Sequence, residues 1–374
     1  MASRFWVGGT ESWNGTIGLK WALTSGGLGG QAAPTAADDV FLDANSGTVT
    51  VTVDTTKALC RSFNATGFTG TFHLTEIATV MEVGDGTTGH FTLGSGMTFT
   101  VAGGAEYVLL KFLSTTTGNN ITSNGKTIPV SVQFVGTGGV WTLQDAFTCT
   151  GNAAAGSIDV EDGELITNGM TVTVLALKVL SSATAILTPG ASTFNLTSTG
   201  TVWNMGANGV FTAPNTSTIN ITDISASNKT FAGGGETYGT LGISGGGAGI
   251  VIIQGSNTFA NLPQITGGTK NLRFTAGTTQ TFTGGTSFGN GANLLTIDTQ
   301  TGGSAATLSK ASGTVECTSI SLKDSTAAGG ALWYAGPTPP SVDVSGNSGW
   351  VFSAVPLPSS GNGVQQNALL LGVG

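Results

Sequence analysis

Four carboxylates lie close together in the middle of the chain, at Asp159, Glu161, Asp162 and Glu164. Two carboxylic acids on opposite sides of a glycosidic bond can hydrolyse it, one as the general acid and the other as a base or nucleophile. Residues 160–164, however, have the composition of a turn between two strands, with Asp-Gly at its centre. The pattern predicts solvated acids on a loop, so we expect no catalytic residue here.

A second acidic group, Asp38, Asp39 and Asp43, has carboxylates spaced closely enough to suggest a cation site. Aspartate is also common where a side chain accepts hydrogen bonds from nearby backbone amides in turns and caps. We interpret the three residues as turn and cap residues.

Thiols and imidazoles are scarce and widely spaced. Cys60, Cys149 and Cys317 are odd in number and lie in strand-like sequence, which favours buried thiols over a disulfide or a metal site. His73 and His90 are the only two histidines, and no zinc-ligand spacing is present. The sequence predicts no catalytic residue, no cofactor-binding residue and no metal ligand, and therefore a protein that is not an enzyme.

Short runs of alternating apolar and polar residues must position these groups. Examples are residues 49–53, 71–74, 170–174 and 272–275, separated by Gly, Asn, Ser and Thr. Alternation is typical of half-buried strands, because successive side chains point to opposite faces. The gaps are too short for crossover helices, so the fold class is all-β. The rhythm predicts a parallel β-helix or solenoid, with His73 pointing outward between Phe72 and Leu74.

The amino-acid composition excludes several classes of protein. The chain has 374 residues, 60 of them Gly, with 39% hydrophobic and 9% charged residues, which is the reverse of a disordered chain. Its net charge of −8 and singly spread basic residues argue against nucleic-acid binding. No run of about 18 apolar residues exists, so no membrane span is expected.

Aromatic residues concentrate near both ends and predict two caps. We divide the chain into an aromatic N-terminal cap (1–47), a first β-rich segment (48–125), a second solenoid segment (126–326), an aromatic C-terminal cap (327–354) and a tail (355–374). Residues 114–124 are polar and poor in strand signals, which predicts a protruding loop or a junction. The tail combines a Pro-rich linker with the apolar run 368–371, which predicts an arm that docks on another subunit.

Several motifs occur in one order: residues 4–10 (RFWVGGT), 38–43 (DDVFLD), 162–174 (DGELITNGMTVTV), 231–245 (FAGGGETYGTLGISG), 274–281 (FTAGTTQT), 307–314 (TLSKASGT), 324–327 (DSTA), 333–336 (WYAG) and 346–350 (GNSGW). This ordered set resembles a repetitive β module of bacteriophage virion proteins and bacterial surface adhesins. The resemblance covers most of the chain except about residues 55–135.

The resemblance implies a bacteriophage virion structural protein, a head or tail appendage such as a fibre or decoration protein, giving rigidity, protection or surface attachment. It implies a homo-oligomer, with three chains expected, other virion proteins as partners and a host surface glycan as a further partner. Residues 1–9 carry no apolar secretion segment, so we expect assembly into the virion in the host cytoplasm. The alternatives are a bacterial surface adhesin or biofilm protein and, less favoured, a polysaccharide-degrading tail spike.

Overall fold

The protein is a β-solenoid of about 12 turns, seen in a computed structural model. The structure describes residues 2–14, 20–75, 80–84, 88–102, 108–151, 158–180, 184–212, 216–245, 248–268, 270–289, 291, 293–337 and 340–356. Within these ranges the chain forms 43 strands and one 3-10 helix, Ala44–Ser46. The all-β solenoid expected from the alternation is confirmed.

The strands of the first half are β1 Ser3–Trp6, β2 Glu11–Ser12, β3 Trp21–Ala22, β4 Asp39–Phe41, β5 Thr50–Val53, β6 Lys57–Cys60, β7 Ser62–Asn64, β8 Thr71–Leu74, β9 Val80–Val83, β10 Phe91–Thr92, β11 Thr98–Val101, β12 Leu109–Phe112, β13 Asn119–Thr122, β14 Thr127–Ile128, β15 Ser131–Phe134, β16 Val140–Leu143, β17 Phe147–Cys149, β18 Ile158–Val160, β19 Gly163–Ile166, β20 Thr171–Val174, β21 Leu177–Val179 and β22 Ala185–Thr188.

The strands of the second half are β23 Thr193–Leu196, β24 Gly200–Met205, β25 Val210–Phe211, β26 Thr218–Ile221, β27 Lys229–Ala232, β28 Thr237–Tyr238, β29 Thr240–Ile243, β30 Ile250–Gln254, β31 Thr258–Phe259, β32 Gln264–Ile265, β33 Lys270–Phe274, β34 Thr279–Phe282, β35 Ser287–Gly289, β36 Leu295–Thr299, β37 Ala306–Lys310, β38 Thr314–Thr318, β39 Ile320–Lys323, β40 Ser325–Gly329, β41 Leu332–Ala335, β42 Val342–Ser345 and β43 Trp350–Val351.

Each turn of the solenoid contributes one strand to each of three faces. One face is a single 13-stranded sheet from β6 to β42. A second face is the ten-stranded sheet from β3 to β25, here called sheet A, followed by the five-stranded sheet from β28 to β40. The third face consists of a four-stranded sheet (β2 to β11), a seven-stranded sheet (β14 to β32) and a four-stranded sheet (β35 to β43). Pairing is parallel throughout, except that β3 runs antiparallel to β1.

The core is a column of inward side chains stacked turn on turn. Phe63 pairs in register with Phe91, and their rings stack with centroids 5.4 Å apart. Phe112 and Phe134 repeat the arrangement at 5.1 Å. Each such ring leaves water entirely and contributes about 1.5–3 kcal/mol. No turn can bury this surface alone, so stability comes from neighbouring turns.

Aromatic clusters lie at both ends of the stack. At the N-terminal end Trp6, Trp13 and Trp21 are buried and meet edge to face, with centroids 5.0 Å and 4.9 Å apart. At the C-terminal end Trp333 is buried and Trp350, half-buried, packs against it at 5.2 Å. Both clusters are compatible with the expected caps.

The polar segment 114–124 contains a strand and is not the protruding loop that its composition suggested. Asn119–Thr122 forms β13, with Asn119 buried and its side-chain amide donating to the carbonyls of Thr116 (2.6 Å) and Val140 (3.0 Å). Ile121, like Asn119, faces inward and is fully buried. The third face does change sheet between β11 and β14, close to the proposed division at residue 125, while the other two faces continue. The division of the chain into these segments stays a prediction. The predicted arm falls on residues 355–374, and all of it beyond residue 356 lies outside the described residues.

Candidate functional site

An open groove of about 650 Å³ runs along the outer surface of sheet A. Its lining comes from β4, β7, β10 and β13 and ends at Gln144, just after β16, and these five strands are consecutive neighbours in that sheet. Neighbouring strands lie about 4.8 Å apart, so the groove follows the solenoid axis for about 19 Å. The same alternation that sends Phe63 and Phe91 inward sends the residues beside them outward into the groove.

The first column of outward side chains begins with aromatic rings and continues with polar groups. Phe5 pairs in register with Phe41, and their rings stack with centroids 4.6 Å apart and planes 13° from parallel. Phe41 is followed on the next strands by Asn64, Thr92 and Thr122, each in register with the one before. All five side chains are half-buried, so each keeps part of its surface available to solvent.

The second column consists of hydrogen-bonding side chains. Asp39 pairs in register with Ser62, and Asn120 with Thr142. His90 lies between them and accepts a hydrogen bond at Nδ1 from the Asn120 backbone amide (3.3 Å). Gln144 Nε2 donates to Asn120 Oδ1 (2.9 Å) and thereby fixes the orientation of both amides.

The charges in the groove neutralise each other. Asp39 accepts hydrogen bonds from Arg61 Nη2, with which it forms an ion pair, and from Ser62 Oγ (2.5 Å). Arg61 Nη1 also reaches Thr88 Oγ1 at 3.4 Å. The groove therefore offers amides, hydroxyls, an imidazole and an aromatic end without an excess of either charge.

The acidic turn is divided between two strands, and this corrects the prediction that all its acids are solvated. Asp159 lies on β18 and is 7% exposed. Burial raises the pKa of its carboxyl to about 6, against the attraction of Lys178, whose Nζ lies 3.9 Å from Asp159 Oδ1. Glu161 raises this pKa further.

Two other members of that turn, Asp162 and Glu164, are half-buried and hydrogen-bonded. Asp162 accepts from Thr137 Oγ1 (2.6 Å) and from the Gly163 amide (2.9 Å). Glu164, on β19, accepts from Thr188 Oγ1 (2.5 Å). These bonds link successive turns of the solenoid, which is a structural use of the carboxylates.

The aspartates near the N-terminus serve mainly as expected. Asp38 accepts from the amides of Ala2 (3.2 Å) and Thr35 (3.0 Å), and Asp43 caps the 3-10 helix through the Asn45 amide (2.9 Å). Asp39 instead pairs with Arg61, because it faces outward on β4 and Arg61 immediately precedes the neighbouring strand β7.

The thiols and His73 are placed as predicted. Cys60, Cys149 and Cys317 are free and buried. Burial raises the pKa of the Cys149 thiol to about 12 and that of the other two higher still. His73 points outward, half-buried, with Nδ1 2.9 Å from Thr100 Oγ1 on the next turn.

The sequence analysis did not identify two lysines that are buried in the structure. Lys229 is 2% exposed and pairs with Asp223 at 2.8 Å, whereas the Nζ of Lys270, which is 3% exposed, has no hydrogen-bond partner among the described residues. The signal is present in the sequence, since Lys270 alternates in phase with Leu272 and Phe274, and Lys229 with Phe231.

Comparisons with known proteins add no family. No family model, curated protein or solved structure matches the chain. Among the described residues, no group of three or more His, Cys, Asp and Glu side chains is placed to hold a metal ion. No helix in the described ranges has the length and apolar character needed to cross a bilayer.

Proposed function

We propose that this chain is a structural protein of a bacteriophage virion, a head or tail appendage that gives rigidity, protection or surface attachment. The observation that supports this role is the uninterrupted 13-stranded parallel sheet, which passes along the stack from β6 to β42. A stack in which one sheet is continuous from β6 to β42 and the sheets of the other two faces join most neighbouring turns resists bending and proteolysis, because few strand edges are left unpaired.

Particle composition tests the proposal. Quantitative mass spectrometry of purified particles is expected to find the protein at a fixed copy number relative to the major capsid protein. If the protein is absent from the particles, or varies in copy number between preparations, the virion role is wrong.

A bacterial surface adhesin or biofilm protein is the second candidate, because the exposed groove on sheet A suits attachment equally well. In that case the protein is expected in the cell envelope fraction of a bacterium that releases no particles. Fractionation followed by immunoblotting distinguishes the two locations.

A polysaccharide-degrading spike is the least supported candidate, because the acids of the central turn bond to side chains of their own stack. Release of reducing ends from host capsule, abolished by Asp162→Asn or Glu164→Gln, would favour it over the structural role. No release is the expected result.

A further inference from the structure

The groove on sheet A has the chemistry of a glycan site. From its two columns we infer that it binds an uncharged, linear glycan chain lying along the solenoid axis. The inference deepens the attachment role in the proposed function and names the ligand class and the residues that take it.

The groove pairs the two kinds of group that recognise sugars. Sugar rings present apolar C–H faces, which pack on aromatic rings, and hydroxyl edges, which exchange hydrogen bonds with amides. Phe41, which lines the groove and stacks on Phe5, supplies the first at one end. Asn64, Asn120 and Gln144 supply donors and acceptors along the remaining length.

The spacing favours a chain over a single sugar. One outward side chain per column recurs on every strand, at the strand spacing of about 4.8 Å. A pyranose unit in an extended glycan is of similar length, so successive units meet successive turns. A groove that crosses five strands accommodates several units in a row.

The pairing of the charged side chains in the groove favours an uncharged ligand. Asp39 and Arg61 line the groove and are already paired with each other, so the lining offers a charged ligand no unpaired Asp, Glu, Lys or Arg. The Asn120–Gln144 hydrogen bond holds the amides in place before binding, which lowers the ordering entropy that association must offset.

The control face is an amide ladder on another side of the solenoid. There Asn220 Nδ2 donates to Asn195 Oδ1 at 3.2 Å, on β26 and β23. These outward amides resemble those of the groove in type and spacing, but they have no aromatic rings in register with them.

The full-length protein is to be tested on an array of neutral linear oligosaccharides with acidic oligosaccharides beside them, and hits measured by isothermal titration calorimetry. We expect binding to at least one neutral glycan. Asn64→Ala and Asn120→Ala should each weaken binding about tenfold, which corresponds to roughly one net hydrogen bond. Asn195→Ala and Asn220→Ala should leave the affinity unchanged, and circular dichroism should show all four variants folded.

Absence of binding to every neutral glycan overturns the inference, as does binding that the groove variants leave unchanged or binding confined to acidic glycans. Phe41→Ala is a second variant, expected to weaken binding even if Asn120→Ala disturbs β13. The assay uses isolated protein, so its failure is separate from failure of the virion role, which is decided by particle composition.

Discussion

Asp159 and Asp162 are three positions apart and are expected to respond to pH in opposite directions. Burial raises the pKa of Asp159 from 3.8 to about 6. Between these values the folded state holds a proton that the unfolded state releases, so Asp159 reduces stability as pH rises through this window. Asp159→Asn removes the effect. The variant should gain stability relative to the wild type between pH 4 and pH 7, by at most about 3 kcal/mol, measured by urea denaturation at each pH.

Asp162 provides the matched control on the same turn. Burial acts to raise its pKa, but hydrogen bonds from Thr137, Thr184 and the Gly163 amide outweigh burial and lower it. Asp162 therefore adds stability above its unfolded pKa, which is lost as pH falls through the folded one. Asp162→Asn should destabilise at pH 7 and have little effect near pH 2. A constant difference from wild type for both variants across pH would contradict the assignment.

Lys270 is a second residue whose charge opposes folding. Burial and the neighbouring Lys229 lower its pKa, so the charge destabilises the fold below that pKa and less so as pH rises above it. Lys270→Met should raise the free energy of unfolding at pH 7 by about 1–3 kcal/mol, because no group among the described residues loses a hydrogen bond to Lys270 Nζ. Lys229→Met should lower it by about 2–3 kcal/mol, because Asp223 loses its ion pair. A loss of stability in both variants would show that Lys270 has a favourable role.

At the scale of single elements, some corners between strands require glycine, because the backbone of the adjacent turn passes close to the position that a Cβ would occupy. Gly163 begins β19 with a φ of 71°, and an added Cβ would lie 2.5 Å from the Gly136 carbonyl oxygen. Gly169 has nearly the same φ, 73°, but nothing lies within 4 Å of its Cβ position. Gly169→Ala should cost only the backbone strain, about 1 kcal/mol, and Gly163→Ala about 2–3 kcal/mol more. Equal melting temperatures for the two variants would argue against the close approach.

The C-terminal cluster is expected to stabilise in proportion to its burial. Trp333 is fully buried, so Trp333→Ala should cost about 3–5 kcal/mol. Trp350 is half-buried and donates from Nε1 to Ser325 Oγ (3.2 Å), so Trp350→Ala should cost about 2–3 kcal/mol and reduce solubility by uncovering Trp333. Thermal unfolding and centrifugation measure both. If Trp350→Ala melts at the wild-type temperature and stays soluble, this segment does not cap the stack.

The elements show how far sequence reasoning extends in this fold. Strand alternation predicts which residues point inward, because a period of two follows from the pleat, and Phe72 and His73 lie as expected. Whether an outward-facing residue such as Asp159 is buried depends on the neighbouring parts of the chain that cover it. The sequence of its own strand does not show which parts these are. The same limit applied to residues 114–124, where the polar composition gave no sign of a strand whose inward side chains are Asn119 and Ile121.

At the scale of the whole molecule, the groove was beyond sequence reasoning because it depends on register between turns. Paired positions are 19 residues apart at Ile158 and Leu177 but 29 apart at Met81 and Leu110. With connections of such variable length, no fixed repeat aligns Phe41 with Asn64 or Asn64 with Thr92. The fold class follows from local pattern alone, whereas the site requires the stacking of every turn in between.

We expect the protein to self-associate through the last turn of the solenoid. Among the described residues, nine large hydrophobic side chains are exposed, and three of them, Val342, Val344 and Val351, lie on β42 and β43, the last strands of the stack. β42 is also the outermost strand of the 13-stranded sheet. An open strand edge beside exposed apolar side chains favours pairing with another chain.

We therefore predict that isolated protein is oligomeric, with three chains the number that the resemblance implies, and that contact is made through the last turn. Light scattering after size-exclusion chromatography at micromolar concentration should give a mass above that of one chain. The double variant Val342→Lys, Val344→Lys should reduce the mass to one chain, because it places charges on the edge strand. Val210→Lys, at an exposed valine on sheet A, should not. A monomeric wild type contradicts self-association, and equal dissociation by the two substitutions contradicts its location.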